Sequence, residues 1–346
     1  MVNPFRKKNI QQPPAQQPKN IPEAPKPVVK AKIRQPTLEI GVGKKGIGKT
    51  FTANKITKRY IQGNPEKGIK PRKVIFFDVN NEFEKVKTIP VDYAFGIVDE
   101  NTGKVINPKT RKPLINWILA FSSPNIPVEA RRVIPVKADG NNMSIEELNM
   151  ALEYIIKYFK GGLLVVEDTS RYVADSVNRD LTGGLATIRH RNCDVIAHFQ
   201  WKSKALNPKL FGNINYLRIH KTNDNFKRTD ERISGCWEIL ILAETLVAYM
   251  NKQLRENATK EQVDNEKNIP IETFYCIVDF DATKIKGAFS INDFKQSIDL
   301  FISDKRNKVL DQLMSQVDNN TGFQKYKYPE AYKIKSEELF REYYGN

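Results

Sequence analysis

Residues 43–50, Gly43, Lys44, Lys45, Gly46, Ile47, Gly48, Lys49 and Thr50, follow the spacing G-x-x-x-x-G-K-[ST]. Glycines placed this way let backbone N–H groups curl around phosphate oxygens. The lysine ammonium then reaches the β and γ phosphates of ATP, and the hydroxyl is a ligand for Mg²⁺. By average composition, a chance match in a chain of 346 residues is on the order of one in a hundred, so residues 43–50 are read as a phosphate loop. Its usual companion is an apolar strand ending in acids, which hold the metal through water and polarise the attacking water. Leu163, Leu164, Val165 and Val166 followed by Glu167 and Asp168 supply it. The usual order is Asp then Glu. Here it is reversed: by position Glu167 serves Mg²⁺ and Asp168 the water, but the inversion leaves both roles open. Gln200 ends the next apolar run, where an amide can sense the γ-phosphate or orient water, or simply be a polar strand end. His190, His198 and His220 lie in the same region without a cysteine or acid at metal-ligand spacing, so they are read as core or satisfied polar histidines.

These groups need a scaffold. The β-rich run at residues 37–42 leads through the glycines into residues 49–61, helical in pattern with Phe51, Ile56 and Tyr60 as its apolar positions. Further strands are expected at residues 73–78, 163–166, 194–200 and 216–220, with a helix between the third and fourth strands of the set. Ser144 and Glu147 form a capping box that opens a helix over residues 145–160. Residues 163–166 are continuously apolar, as in a strand buried on both faces of a parallel sheet, and the repeated strand, connection, strand order indicates an α/β fold. Residues 90–137 read as an insertion of hairpins, with a basic stretch at Lys104, Lys109, Arg111 and Lys112. Residues 274–289 read as a hairpin, and residues 291–346 as a helical C-terminal extension.

Eight of the 19 prolines precede residue 37, among Gln, Ala and eight basic residues against one acid, Glu23. Residues 1–36 therefore cannot build a core and are expected to be a disordered basic tail that is either solvated or touches nucleic acid or a protein. The start runs into Gln and Pro rather than an apolar segment, so it is not read as a secretory signal. Cys193, Cys236 and Cys276 contain no C-x-x-C, which leaves neither a disulfide framework nor a zinc ribbon and points to a reducing compartment. No run is apolar enough to span a membrane. The net charge of +16 favours phosphate-bearing partners. Residues 44–73 hold ten basic residues and one acid, and residues 200–232 hold eight and three, a surplus that suits a polyanion through counterion release.

Residues 37–224 resemble the HerA/FtsK superfamily of P-loop ATPases, and among these the genome-packaging ATPases of viruses and small bacteriophages. The resemblance rests on an ordered set: the phosphate loop; Asp78, Glu82 and Phe83 in an Asp-x-x-x-Glu-aromatic segment; Glu167-Asp168; Arg189 and Arg191 ahead of the fourth strand; and Gln200 at its end. It implies a RecA-like (ASCE) α/β core with a mostly parallel sheet, here residues 37–290. It also implies a homo-oligomeric ring and ATP hydrolysis coupled to DNA translocation, with a viral genome packaged into a preformed capsid. An arginine from a neighbouring subunit then completes each site, mapping to Arg189 or Arg191, with Arg171 as a rival. Implied partners are DNA and a capsid or portal-vertex protein, in the host cytoplasm or at the virion vertex. Lys104, Lys109, Arg111 and Lys112 become candidates for a DNA-facing channel loop. A conjugative or plasmid DNA pump and a filamentous-phage assembly ATPase share this core. A different class, a non-hydrolysing nucleotide-binding scaffold for DNA or capsid, is opposed by intact Lys49, Thr50, Glu167 and Asp168.

Overall fold

The apolar runs become the strands of one twisted sheet. The structure is a computed structural model that describes residues 35–89, 97–98, 105–106, 114–135, 143–169, 184–185, 188–206, 208–266 and 270–346. The proposed tail up to residue 34, Arg171, Lys104, Lys109, Arg111 and Lys112 lie outside the described residues, and of Arg189 only the backbone is described. Strand β1 (Leu38–Val42) runs through the glycine loop into helix α1 (Lys49–Gln62), and β2 (Val74–Phe77) follows. A short hairpin, β3 (Ile97–Val98) with β4 (Val105–Ile106), stands in its own two-stranded sheet. Hairpins were expected throughout residues 90–137, yet Leu114–Ser122 is a helix, α2, and Ala130–Val133 is β5, which joins the main sheet beside β2 in parallel. The reason is burial: Leu114, Ile118 and Phe121 fall at helical spacing and enter the core.

Helix α3 (Ile145–Tyr158) begins at the expected capping box, with Ser144 Oγ accepting from Glu147 N–H at 3.2 Å and Glu147 accepting from Ser144 N–H at 2.7 Å. Then come β6 (Leu163–Val166), β7 (Asp194–Phe199), the short helices α4 (Lys202–Ala205) and α5 (Pro208–Phe211), and β8 (Tyr216–Ile219). Helix α6 (Trp237–Glu256) and the short α7 (Lys260–Asp264) lead to the antiparallel pair β9 (Cys276–Asp279) and β10 (Lys284–Gly287). Helices α8 (Ile291–Ser303), α9 (Asp311–Met314) and α10 (Tyr328–Tyr343) end the chain. Residues 291–346, expected as an extension, bury Phe294, Ile298, Phe301, Leu339 and Tyr343 in the same cluster as the sheet. No helix among the described residues is long and apolar enough to cross a membrane.

The sheet order is β10-β9-β8-β1-β7-β6-β2-β5, parallel from β8 to β5. One strand, β7, stands between β1, which feeds the glycine loop, and β6, which ends in the acids. This is the RecA-like order, and the α/β core is of that class. Neighbouring strands lie about 4.8 Å apart, which sets the loop and the acids roughly 10 Å apart across the sheet. Pleating then sorts the side chains. Leu38, Ile40, Val42, Val195, Ala197 and Phe199 point into the large core. The alternate positions Val74, Phe76, Leu163, Val165 and Ile196 meet Ala53 of α1.

Candidate functional site

The alternation that puts Ile196 under α1 also carries Glu39, Glu167, His198, Arg218 and His220 to that face, all but Glu39 towards the carboxyl ends of the parallel strands. This is where open α/β sheets bind ligands. The glycine loop caps it. Gly48 has φ 92°, a left-handed conformation that side-chain-bearing residues resist, and it starts α1. A Cβ on Gly43 would sit 2.7 Å from His220 Cβ and 2.9 Å from Ile47 Cγ2, so nothing larger fits. Lys49 is buried, and its ammonium donates to the carbonyls of Gly43 at 2.6 Å and Lys44 at 2.9 Å. Burial pulls its pKa below the usual lysine value, while the charges of Glu167, Glu82 and Asp168 oppose that shift.

A cavity of about 660 Å³ opens beside this loop, and its wall includes Lys49, Thr50, Glu82, Glu167, Asp168 and Gln200. The loop, the two acids and the glutamine singled out from sequence are therefore brought together. Asp168 has φ 45°, a turn conformation that Asp tolerates better than most residues. Gln200 Nε2 donates to Asp168 Oδ1 at 3.0 Å. Glu167 is buried, and its Oε1 lies 2.8 Å from His198 Nδ1. His198, read as an ordinary core histidine, thus holds one of the two candidate acids. The signal was present in β7, where His198 and Gln200 share the face opposite Val195, Ala197 and Phe199.

Glu82 is the other residue that the spacing alone did not assign. Asp78 is fully buried and accepts the N–H groups of Glu82 at 2.8 Å and Phe83 at 3.0 Å, while Arg132 donates to it at 3.3 Å. Phe83 packs on Phe76 with centroids 4.0 Å apart. The Asp-x-x-x-Glu-aromatic segment is thereby a turn pinned at both ends, and it presents the Glu82 carboxylate to the Thr50 hydroxyl, which donates to it. Thr50, Glu82, Glu167 and Asp168 all line the cavity with oxygen donors, the type that suits Mg²⁺. Among the described residues no group of three His, Cys, Asp or Glu side chains is placed to hold a metal by itself.

Arg191 is exposed and sits in the turn Ile188–Arg191 before the amino end of β7, and its carbonyl accepts from Gly161 N–H at 3.1 Å. Gln200 and the cavity lie at the carboxyl end. Six strand residues separate them by roughly 20 Å, so this turn is remote from the cavity of its own chain. The basic stretches are also partly consumed inside the fold. Lys202 pairs with Glu244, Arg218 with Glu39, Lys221 with Glu272 and Arg232 with Asp230. In the earlier stretch, Lys49 serves the loop, Lys73 donates to the carbonyls of Phe121 at 2.6 Å and Ser123 at 2.5 Å, and Arg72 pairs with Asp194 at 2.7 Å.

No protein-family model matches the sequence, and no curated protein is similar to it. Among solved structures, the chain is similar to the genome packaging NTPase B204 from Sulfolobus turreted icosahedral virus 2 in complex with ATP-gammaS. The two are 15% identical over 72% of this chain and 95% of that one, with a TM-score of 0.40. It is also similar to the N-terminal domain of zonular occludens toxin from Neisseria meningitidis, at 16% identity over 55% and 79% of the two chains and a TM-score of 0.29. The pCW3 conjugation coupling protein TcpA is 10% identical over 55% of this chain and 50% of its own, with a TM-score of 0.29.

Proposed function

We propose that this chain is a Mg²⁺-dependent ATPase that translocates DNA, packaging a viral genome into a preformed capsid as one subunit of a ring. The observation that carries the reading is the single cavity in which the glycine loop, Lys49, the Glu167-Asp168 pair and Gln200 meet at the carboxyl ends of β1, β6 and β7. Backbone N–H groups of residues 43–50 cradle the phosphates, and Lys49 turns from the Gly43 and Lys44 carbonyls to the β and γ oxygens. Thr50, Glu82 and Glu167 hold Mg²⁺, which when bound neutralises charge on the transferring phosphoryl group. Asp168 and Gln200 orient the attacking water, with Asp168 taking its proton. The buried Glu167, clamped by His198, is the better placed of the two acids for a fixed metal shell. Asp168, half-buried and accepting from the Gln200 amide, is the better placed for water.

ATP turnover by the full chain, with and without DNA, tests this directly. Glu167→Gln and Asp168→Asn are each expected to cut turnover by about 10²–10³-fold, while ATPγS still binds, since both act on charge that develops in the transition state. A wild-type protein that binds ATPγS but shows no turnover with DNA present would instead be the nucleotide-dependent scaffold.

The DNA part of the proposal draws on the sequence resemblance and on charge. Because Lys202, Arg218, Lys221 and Arg232 already have carboxylate partners, the weight moves to Lys104, Lys109, Arg111 and Lys112 and to the basic residues before residue 37. Affinity for double-stranded DNA should fall steeply with salt, its logarithmic slope changing by about 0.9 for each phosphate neutralised. Replacing Lys104, Lys109, Arg111 and Lys112 together with Ala should flatten that slope by up to about 3.6. Deleting residues 1–36 should flatten it further if the tail touches DNA. Binding that is insensitive to salt and confined to one base sequence would contradict a motor that must pass a whole genome.

A further inference from the structure

Triphosphate and metal account for only part of the cavity. The rest of its wall includes Phe51, Lys55, Pro270, Thr273 and Tyr275, none of which the phosphate chemistry uses. The sequence pattern makes Phe51 an apolar, inward position of α1. Instead α1 buries Lys49, Thr52, Ala53 and Thr57 and leaves Phe51 64% exposed, with the Lys55 ammonium 4.5 Å from its ring centroid. Its ring stands in the wall of the cavity, where it offers an apolar face that a planar ligand can cover.

A second wall comes from residues 270–275, more than two hundred positions later in the chain. Tyr275 is half-buried, and its ring is backed by His220, with centroids 4.8 Å apart, and by the Arg218 guanidinium 5.6 Å from its centroid. Arg218 is fully buried and ion-paired with Glu39, so this backing is fixed from the sheet below. Glu272, in the same segment, pairs with Lys221 and reaches Lys44 of the glycine loop at 3.7 Å. Lys44 N–H in turn donates to the Lys221 carbonyl at 3.0 Å. The aromatic wall is thereby latched to the phosphate-binding loop at a set distance. The cavity volume of about 660 Å³ also falls within the roughly 300–1,000 Å³ usual for a whole small ligand rather than for its anionic end alone.

We propose that Phe51, Pro270, Thr273 and Tyr275 form the nucleobase compartment of this cavity and take the base of the nucleotide by stacking, with Glu272 fixing the offset between that compartment and the phosphate loop. This rests on the nucleotide reading above and adds to it the part of the chain that recognises the base. Every base presents a π-face, so aromatic walls reward the nucleoside of ATP without reading its edges in detail.

The test is calorimetric titration of the full chain, in Mg²⁺, with ATPγS and separately with inorganic tripolyphosphate, which has the phosphates but no base. Phe51→Ala and Tyr275→Ala are each expected to weaken ATPγS binding about tenfold and to leave tripolyphosphate binding unchanged. Tyr275→Phe should restore ATPγS affinity, because the ring and not the hydroxyl does the stacking. Unchanged ATPγS binding in both alanine variants would overturn the proposal. So would an equal loss for ATPγS and tripolyphosphate, which would make the segment a mere prop for the loop. Failure of the nucleotide reading looks different: ATPγS binding would then survive Lys49→Ala, or the wild-type protein would bind neither ligand, and the inference would fall with it.

Discussion

A Lys49→Ala protein should neither bind ATPγS at concentrations that saturate the wild-type protein nor turn ATP over above background. Lys49 is the buried cation of the cavity, and three carboxylates, Glu167, Glu82 and Asp168, act on it. Without its ammonium, an arriving triphosphate meets those carboxylates with no buried lysine to offset them, only the exposed Lys45 and Lys55, backbone dipoles and Mg²⁺. Losing a single preorganised donor at a developing charge already costs about 10²–10³ in rate, and here ground-state binding is lost as well. The ligand-free protein also changes, since the Gly43 and Lys44 carbonyls lose the donor that holds them at 2.6 and 2.9 Å. Calorimetry with ATPγS and a turnover assay with DNA present check both halves. An affinity within a small factor of wild type would mean that the loop does not hold phosphate.

The second large effect concerns the arginine that the proposed ring would share between subunits. A guanidinium inserted beside the γ-phosphate stabilises the transferring group and is worth about 10³–10⁵ in rate, so its removal should abolish turnover while ATP still binds. The turn Ile188–Arg191, which carries Arg189 and Arg191, precedes the amino end of β7, whereas the cavity lies beyond its carboxyl end. Over that separation an arginine in this turn has no reach to the cavity of its own chain, so in the proposed ring it would act on the cavity of a neighbouring subunit. Arg189→Ala mixed with Lys49→Ala, each inactive alone, should regain part of the activity when subunits exchange, because some interfaces then pair an intact loop with an intact arginine. Arg191 and, as the rival, Arg171 are to be tested the same way. Mixed oligomers that show no rescue with any of the three would remove the shared-site ring.

Much of this protein was determined locally and could be read from the chain. Residues 43–50 specify their loop because the spacing of glycines, lysine and threonine leaves the backbone few alternatives. The continuous apolar runs at β2 and β6 specify strands buried on both faces, and Ser144 with Glu147 specifies the start of α3. Glu167, Asp168 and Gln200 could be named because they follow the ends of mainly apolar strands. What the sequence did not determine was which distant groups share a wall, since pairing across a sheet leaves no local pattern. Only the sheet order puts β7 between β1 and β6, and with it His198 against Glu167, 31 positions earlier. Only the pinned turn at Asp78 brings Glu82 to Thr50. The expected inward face of α1 was off at Phe51 because the loop, by feeding Lys49 into the core, sets the helix's rotation. The basic surplus at residues 200–232 looked like a polyanion surface, yet Glu39, Glu244 and Glu272, far away in sequence, fold back to neutralise Arg218, Lys202 and Lys221. Charge can be counted along a chain, but whether a charge faces solvent or a carboxylate depends on contacts that only long-range packing creates.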